Sequence, residues 1–280
     1  MQEVPVHTLR DGRSIPALGF GVWQIEPDAT ERAVAAAISS GYRSFDTAEA
    51  YFNEEKVGNA LRRSGLRREE YFLTTKVWNT NHGYSTTLAA FDASMRRLGV
   101  EQLDLYLLHW PSRVRGLYVE TWQALIRLQQ EGRVRSIGVS NFSVPQLSRL
   151  ISETGIIPAV NQVELHPRFQ QRELRSFHQR FQIATQSWSP LGMWKNGRPS
   201  ILNPTIQAIA REHGKTPAQV VLRWHLQEGL IPLTRSVNGK HIAENFDVFD
   251  FELSQEDMRS MRSLDDPAGR LGPNPDTAEF

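Results

Sequence analysis

Along the chain, short apolar runs alternate with longer stretches whose apolar residues recur every three or four positions, and the alternation repeats eight times. The runs Leu18 to Trp23, Arg43 to Thr47, Phe72 to Val77, Leu103 to His109, Val134 to Ser140, Ala159 to Val163, Ile183 to Trp188 and Leu230 to Thr234 have the length of buried strands. The stretches between them read as amphipathic helices. Asp28 with Glu31 three positions on predicts a capped helix start, and Ala33, Val34, Ala37 and Ile38 form one face before Gly41 stops it. Leu88, Phe91, Met95 and Leu98 form a second face closed by Gly99. Trp122, Leu125 and Leu128 end at Gly132, and Leu147, Leu150 and Ile151 end at Gly155. Strands joined through helices by short links imply a parallel sheet, because parallel neighbours need a crossover between them.

Eight such units in 280 residues predict an α/β fold of the (β/α)8 barrel type, as one domain over residues 1–280. An open doubly wound sheet would more often carry a glycine-rich dinucleotide turn after its first strand. Gly19-Phe20-Gly21 lacks the third glycine and leads into Val22-Trp23 rather than a helix. Ahead of the barrel, Val6 to Leu9 and Ser14 to Pro16 flank Asp11-Gly12 and predict an N-terminal β-hairpin that plugs one barrel end. The tail from Asp266 to Phe280, rich in Pro and Gly, is expected to be extended over the barrel or mobile.

Composition narrows the partners. With 32 basic and 31 acidic residues and no long basic run, nucleic acid and anionic membrane are poor matches, and a small molecule is the better one. Cysteine is absent, which removes disulfides, thiol nucleophiles and thiolate metal sites. No run approaches the roughly 18 apolar residues of a membrane helix, and residues 1–13 lack a signal-like apolar core, so a cytoplasmic monomer is the expectation.

Asp46, Lys76 and His109 close the second, third and fourth strand candidates, and Tyr51 follows just after the first of these. In a parallel barrel the carboxyl ends of strands converge on one face. A phenol has a reference pKa of about 10, so it needs help to release a proton. An ammonium beside it favours phenolate and should lower the Tyr51 pKa, while a carboxylate holds that ammonium in place. His109 would donate to the same carbonyl oxygen and orient it. Singly, Asp46 reads as a helix cap, Lys76 as a solvated strand end and His109 as a core residue; jointly they suit protonation of a carbonyl oxygen as hydride reaches its carbon.

The segments GYRSFDTAEAYFNEEKVGNAL, TTKVW, DLYLLHWP, SIGVSNF, NQVELHP, SWSPLG and RSVNGKHIAENFDVFDFEL resemble the aldo-keto reductase family over almost the whole chain. That resemblance implies a barrel that binds NADPH without a Rossmann domain. It assigns Tyr51 as proton donor, Lys76 and Asp46 as its tuners and His109 as the substrate-positioning residue. It places Ser140, Asn141 and Gln162 on the nicotinamide amide and Trp188 against the nicotinamide ring; tryptophan there resembles the bacterial 2,5-diketo-gluconate reductase group. Gly21, Val22 and Trp23 border the cofactor, and Ser189, Leu191 and Gly192 run beside the pyrophosphate. Arg235, Ser236 and Val237 fall at the adenosine phosphate, where the family usually has Lys-Ser; His241 replaces a common arginine; Glu244 and Asn245 match the adenine contacts.

Trp23, Phe52, Trp78, His109 and Trp110 are the substrate-pocket candidates, an aromatic wall suited to aldehydes and ketones such as keto sugar acids or methylglyoxal. Met193, Trp194 and Lys195 would narrow the entrance. A non-catalytic NADPH-binding regulatory protein on the same fold is the alternative, although such a protein has no chemical need for all four of Tyr51, Lys76, Asp46 and His109. A metal-dependent hydrolase would have only His109, His166 and Asp46 as ligands, with Lys76 repelling the cation.

Overall fold

The computed structural model describes residues 4–192 and 199–280. Strands β1 (Val6–Thr8) and β2 (Ser14–Pro16) pair antiparallel, with Val6 opposite Pro16 and Thr8 opposite Ser14. The remaining strands are β3 (Gly19–Gly21), β4 (Ser44–Asp46), β5 (Phe72–Val77), β6 (Leu103–Leu108), β7 (Val134–Ser140), β8 (Val160–Glu164), β9 (Ala184–Trp188) and β10 (Ile231–Thr234). They form a closed parallel barrel in chain order, β10 returning to pair with β3. All eight strand candidates of the sequence therefore lie in the barrel, which is a (β/α)8 fold.

Helices α1 (Pro27–Ser40), α2 (Glu54–Arg63), α3 (Tyr84–Leu98), α4 (Tyr118–Gln130), α5 (Val144–Thr154), α6 (Arg172–Phe181), α7 (Pro204–Glu212), α8 (Pro217–Gln227), α9 (Gly239–Phe246) and α10 (Gln255–Arg262) complete the described elements. The start of α1 differs from its expected position. Glu26 is the cap residue, Pro27 opens the helix, and Asp28 lies in the first turn with no side-chain capping bond. Proline's fixed φ is pre-organised for the first helical position, and this outcompetes an Asx cap one residue later. The faces predicted for α3 and α4 are buried, with Phe91, Leu98, Trp122, Leu125 and Leu128 fully enclosed between helices and barrel.

The hairpin closes the amino-terminal end of the barrel. Leu9 and Ile15 pack into its floor with Phe72, Leu105, Leu107, Ala159, Val160 and Ile231. With that end filled by apolar side chains, the barrel interior opens at the opposite mouth, where the polar strand ends lie. The tail, residues 266–280, lies across that mouth, starting from a hydrogen bond between the Asp266 N–H and the Arg168 carbonyl.

Candidate active site

The carboxyl ends of β4, β5 and β6 bring Asp46, Lys76 and His109 together, and a short 3-10 turn, Glu49–Tyr51, returns the Tyr51 phenol over them. Lys76 is fully buried. Its ammonium donates to Asp46 Oδ1 at 2.6 Å, to the Thr47 carbonyl at 2.9 Å and to the Tyr51 hydroxyl at 3.2 Å. Its three donors are thus all spent, and the third fixes the charge against the phenol oxygen. Asp46 Oδ2 accepts in turn from Gln162 Nε2 at 2.8 Å.

These contacts set the protonation states. Burial pulls the Lys76 pKa down, but Asp46 and Tyr51 together outweigh it and hold the amine above its usual range, charged. For Tyr51 the balance opposes the sequence expectation: burial raises its pKa more than the Lys76 charge lowers it, so the group carries its proton at neutral pH. His109 is driven well below the usual imidazole range by burial first and by the Lys76 charge second. The ring is neutral, packed edge-on to Tyr51 at 5.5 Å and Trp78 at 5.0 Å, and its Nδ1 is buried without a partner.

Above this cluster opens a cavity of about 630 Å³, walled by Trp23, Phe52, Trp78, Trp110, Trp188, Leu191 and the tail residues Gly272 and Pro273. Gly21, Ser140, Asn141, Gln162, Ser189 and Arg235 also border it. Phe52, Asn141 and Ser189 hold left-handed backbone, with φ of 56°, 62° and 51°. Non-glycine residues in that region store strain and cluster at ligand sites.

On the floor, Gln162 uses both amide protons internally, on Asp46 and on Gln186 Oε1 at 2.8 Å, which leaves its own oxygen to accept. Gln186 Nε2 behind it is buried with no partner. Ser140 Oγ donates to the Gln162 carbonyl, and Asn141 Nδ2 bonds both Ser140 Oγ and the His109 carbonyl. Trp188, expected on a ligand ring, is half-buried at the cavity wall and donates its Nε1–H to Asn141 Oδ1 at 2.8 Å. The Gln162 oxygen left to accept and the Trp188 indole, both bordering the cavity, suit a planar carboxamide-bearing ring, so the residues fit the nicotinamide end of a dinucleotide.

Of the other expected residues, Arg235 borders the cavity and the rest lie off it. Val22 is a core residue with its N–H on the Asp46 carbonyl. Gly192 sits behind the wall, where an added Cβ would lie 2.2 Å from Ser200 Oγ, so packing against Ser200 already requires glycine there. Arg235 borders the cavity beside Trp23, donating to the Trp23 carbonyl at 3.1 Å, with its guanidinium 5.8 Å from that ring's centroid. Ser236 bonds Asn238 in the following turn. Val237 and His241 are exposed, Glu244 pairs with Lys240 at 3.7 Å, and Asn245 is buried on α9. Met193, Trp194 and Lys195 lie outside the described residues.

Sequence reasoning expected a tail extended over the barrel or mobile, but missed its contacts. The Phe280 ring stacks on Trp78, 6.0 Å between centroids and 6° between planes, and meets Trp110 edge-on at 4.9 Å. A main-chain oxygen of Phe280 accepts from Asn79 Nδ2 and Ser112 Oγ. It also missed Glu49, which anchors the Trp78 N–H and Asn81 beside Tyr51, and Glu164, described below. Among the described residues, no three His, Asp or Glu side chains converge as metal ligands, and no helix is long and apolar enough to cross a membrane.

Residues 17–266 match the model of the aldo/keto reductase family. An aldo-keto reductase of Mycobacterium sp. (strain JLS) is 55% identical over 276 residues, spanning 99% of this chain and 98% of that protein. The methylglyoxal reductase DkgA of Escherichia coli (strain K12) is 46% identical over 276 residues, with 99% and 98% covered. A crystal structure of a Gox0644 mutant in complex with NADPH has a TM-score of 0.94 and 49% identity, covering both chains completely. This chain belongs to the aldo/keto reductase family.

Proposed function

We propose that this protein reduces aldehydes and ketones to alcohols with NADPH, and that Tyr51 is the proton donor. The observation that carries the reading is the Lys76 ammonium, fixed by Asp46 at 2.6 Å and bonded to the Tyr51 hydroxyl at 3.2 Å, beneath an aromatic cavity. NADPH, when bound, supplies the hydride. Gln162, Asn141, Ser140 and Trp188 would hold its nicotinamide, Ser189 and Leu191 would run beside its pyrophosphate, and Arg235 and the residues after it would take the adenosine phosphate.

Tyr51 enters the reaction protonated, because its buried oxygen disfavours charge. As negative charge builds on the substrate oxygen, the phenol gives up its proton to that oxygen. The Lys76 ammonium, already in place, stabilises the phenolate left behind. His109 is neutral and so has one N–H to donate; Nδ1 is enclosed, which leaves Nε2 to orient the carbonyl.

The walls favour compact, uncharged carbonyls: four tryptophans, Phe52 and Phe280 surround the acid and bring no charge near the reacting carbon. A relative named for methylglyoxal agrees with small dicarbonyls as substrates, and keto sugar acids are the second class to test. The barrel closes in chain order from β3 to β10, which supports a single barrel domain. Steady-state rates with methylglyoxal, glyoxal, a keto sugar acid and an aromatic aldehyde, each with NADPH and NADH, test the reading. Turnover is expected with NADPH and highest on the dicarbonyls; no turnover on any carbonyl overturns it.

Cofactor choice gives a separate expectation. Arg235 borders the cavity, and a guanidinium matches a phosphate as a bidentate donor. Arg235→Ala should weaken NADPH binding by roughly 1.5–3 kcal/mol, the scale of a charge-assisted hydrogen bond, and NADH binding little. Dissociation constants for both cofactors check this, and equal losses would mean that Arg235 does not read the phosphate.

A further inference from the structure

At the end of β8, Glu164 is a buried carboxylate outside the four residues assigned to the chemistry, and it faces the tail rather than a substrate. Its Oε1 accepts the Leu271 N–H at 2.6 Å, and its Oε2 accepts the Gly272 N–H at 2.9 Å. His166 Nε2 lies 3.2 Å from Oε1 on the other side. Two successive backbone donors on one ionised, buried carboxylate make a directed pair of strong bonds. Upstream of this clasp the tail is moored by an ion pair between Arg168 and Asp266 at 2.8 Å and by Arg270 over the Phe169 ring. Asp276 meets Ser143 and Gln146 at exposed positions, and Phe280 is held by one amide and one hydroxyl.

The clasp also has a mechanical consequence. It presses Gly272 onto the outer side of the Trp188 indole: an added Cβ there would lie 2.6 Å from the ring and 3.1 Å from Glu164 Oε2. Trp188 is fixed on its far edge by Asn141, whose amide also holds the His109 carbonyl. The indole is therefore gripped between tail and floor, with Gly272 and Pro273 closing the cavity beside it.

The geometry points to Glu164 as a positioning residue that seats the tail against Trp188 and thereby sets how fast NADPH leaves the cavity. Glu164 touches neither substrate nor cofactor in this arrangement; it acts through Gly272 and Trp188. The inference rests on the NADPH reading above for its kinetic part and on the tail contacts alone for its structural part.

The test uses the full chain and two substitutions, Glu164→Gln and Gly272→Ala, each checked by thermal melting. An amide at 164 sets an N–H donor against a backbone N–H, and a Cβ at 272 pushes the tail off the indole. The Arg270–Leu271 bond is a trypsin site inside the clasp, so its cleavage rate in cofactor-free protein reads tail lifting directly. Both variants should be cut about tenfold faster than wild type, as expected for loss of a charge-assisted bond pair. NADPH dissociation, followed by stopped-flow tryptophan fluorescence, should accelerate by a similar factor, and the double variant should be no faster than the faster single one.

Unchanged cleavage in folded variants overturns the clasp. Faster cleavage with unchanged NADPH release, or effects that multiply in the double variant, overturns the link between tail and cofactor. Should Glu164→Gln fail to fold, the Gly272→Ala variant alone decides on the same two rates. Absence of NADPH binding by the wild type would count against the cofactor reading, while the cleavage comparison would still decide the clasp.

Discussion

Tyr51→Phe should lower kcat for carbonyl reduction by about 10²–10⁴-fold, the usual contribution of a positioned general acid, with NADPH affinity nearly unchanged. The substitution keeps the ring, and with it the packing against His109 at 5.5 Å and the Lys76 ammonium 4.8 Å from its centroid. Only the hydroxyl goes. Lys76 retains Asp46 and Thr47 and stays fixed, so the buried ion pair does not collapse. Single-turnover rates with saturating NADPH separate the chemical step from cofactor exchange. Turnover close to wild type would remove Tyr51 from the reaction.

Acidification should destabilise the fold well above the range in which carboxylates titrate. Burial pushes His82 and His225 down to about 4 and His178 down to about 3, and His109 well below the ordinary value. His178 shows the cause in detail: Asn161 Nδ2 lies 3.0 Å from its Nε2, so that nitrogen must accept, and Nδ1–H must donate to Thr185. A second proton would break the Asn161 bond. The folded-state pKa values lie below the unfolded value of about 6.5, so their stabilisation is complete above pH 6.5 and is lost as pH falls toward 4 or 3. Each such group removes about 1.4 kcal/mol per pH unit inside that window. Four of them would remove several kcal/mol by pH 5, against typical stabilities of about 5–15 kcal/mol. Calorimetric unfolding at pH 5 in buffers of different ionisation enthalpy should show uptake of about four protons. Uptake near zero would mean that these histidines are charged in the fold.

Much of this architecture was legible in the residues because it depends on local pattern. The eight apolar runs reappear as barrel strands, and Asp46, Lys76 and His109 meet because they share one offset, the carboxyl end of a strand. Where two local signals competed, pattern was a poorer guide: at α1, Pro27 set the start and Asp28 did not cap. Electrostatic balance was less legible still. The effect of Lys76 on Tyr51 has the expected sign, but the opposing effect of burial is larger and has no signature in sequence. The contacts of Phe280 with Trp78 and Trp110, and of Glu164 with Leu271 and Gly272, were beyond reach, since nothing in a Pro- and Gly-rich tail indicates which distant side chains it will meet.

Asn79 and Phe280, bonded to each other across the cavity, lie 201 positions apart in the chain. During vectorial synthesis every barrel strand leaves the ribosome before the tail that walls the mouth, because β10 ends at Thr234. The barrel can close around Lys76 and Tyr51 while Trp78 and Trp110 still face water. A nascent chain can therefore bring Asp46, Lys76 and Tyr51 together before Phe280 completes the wall of Trp78 and Trp110.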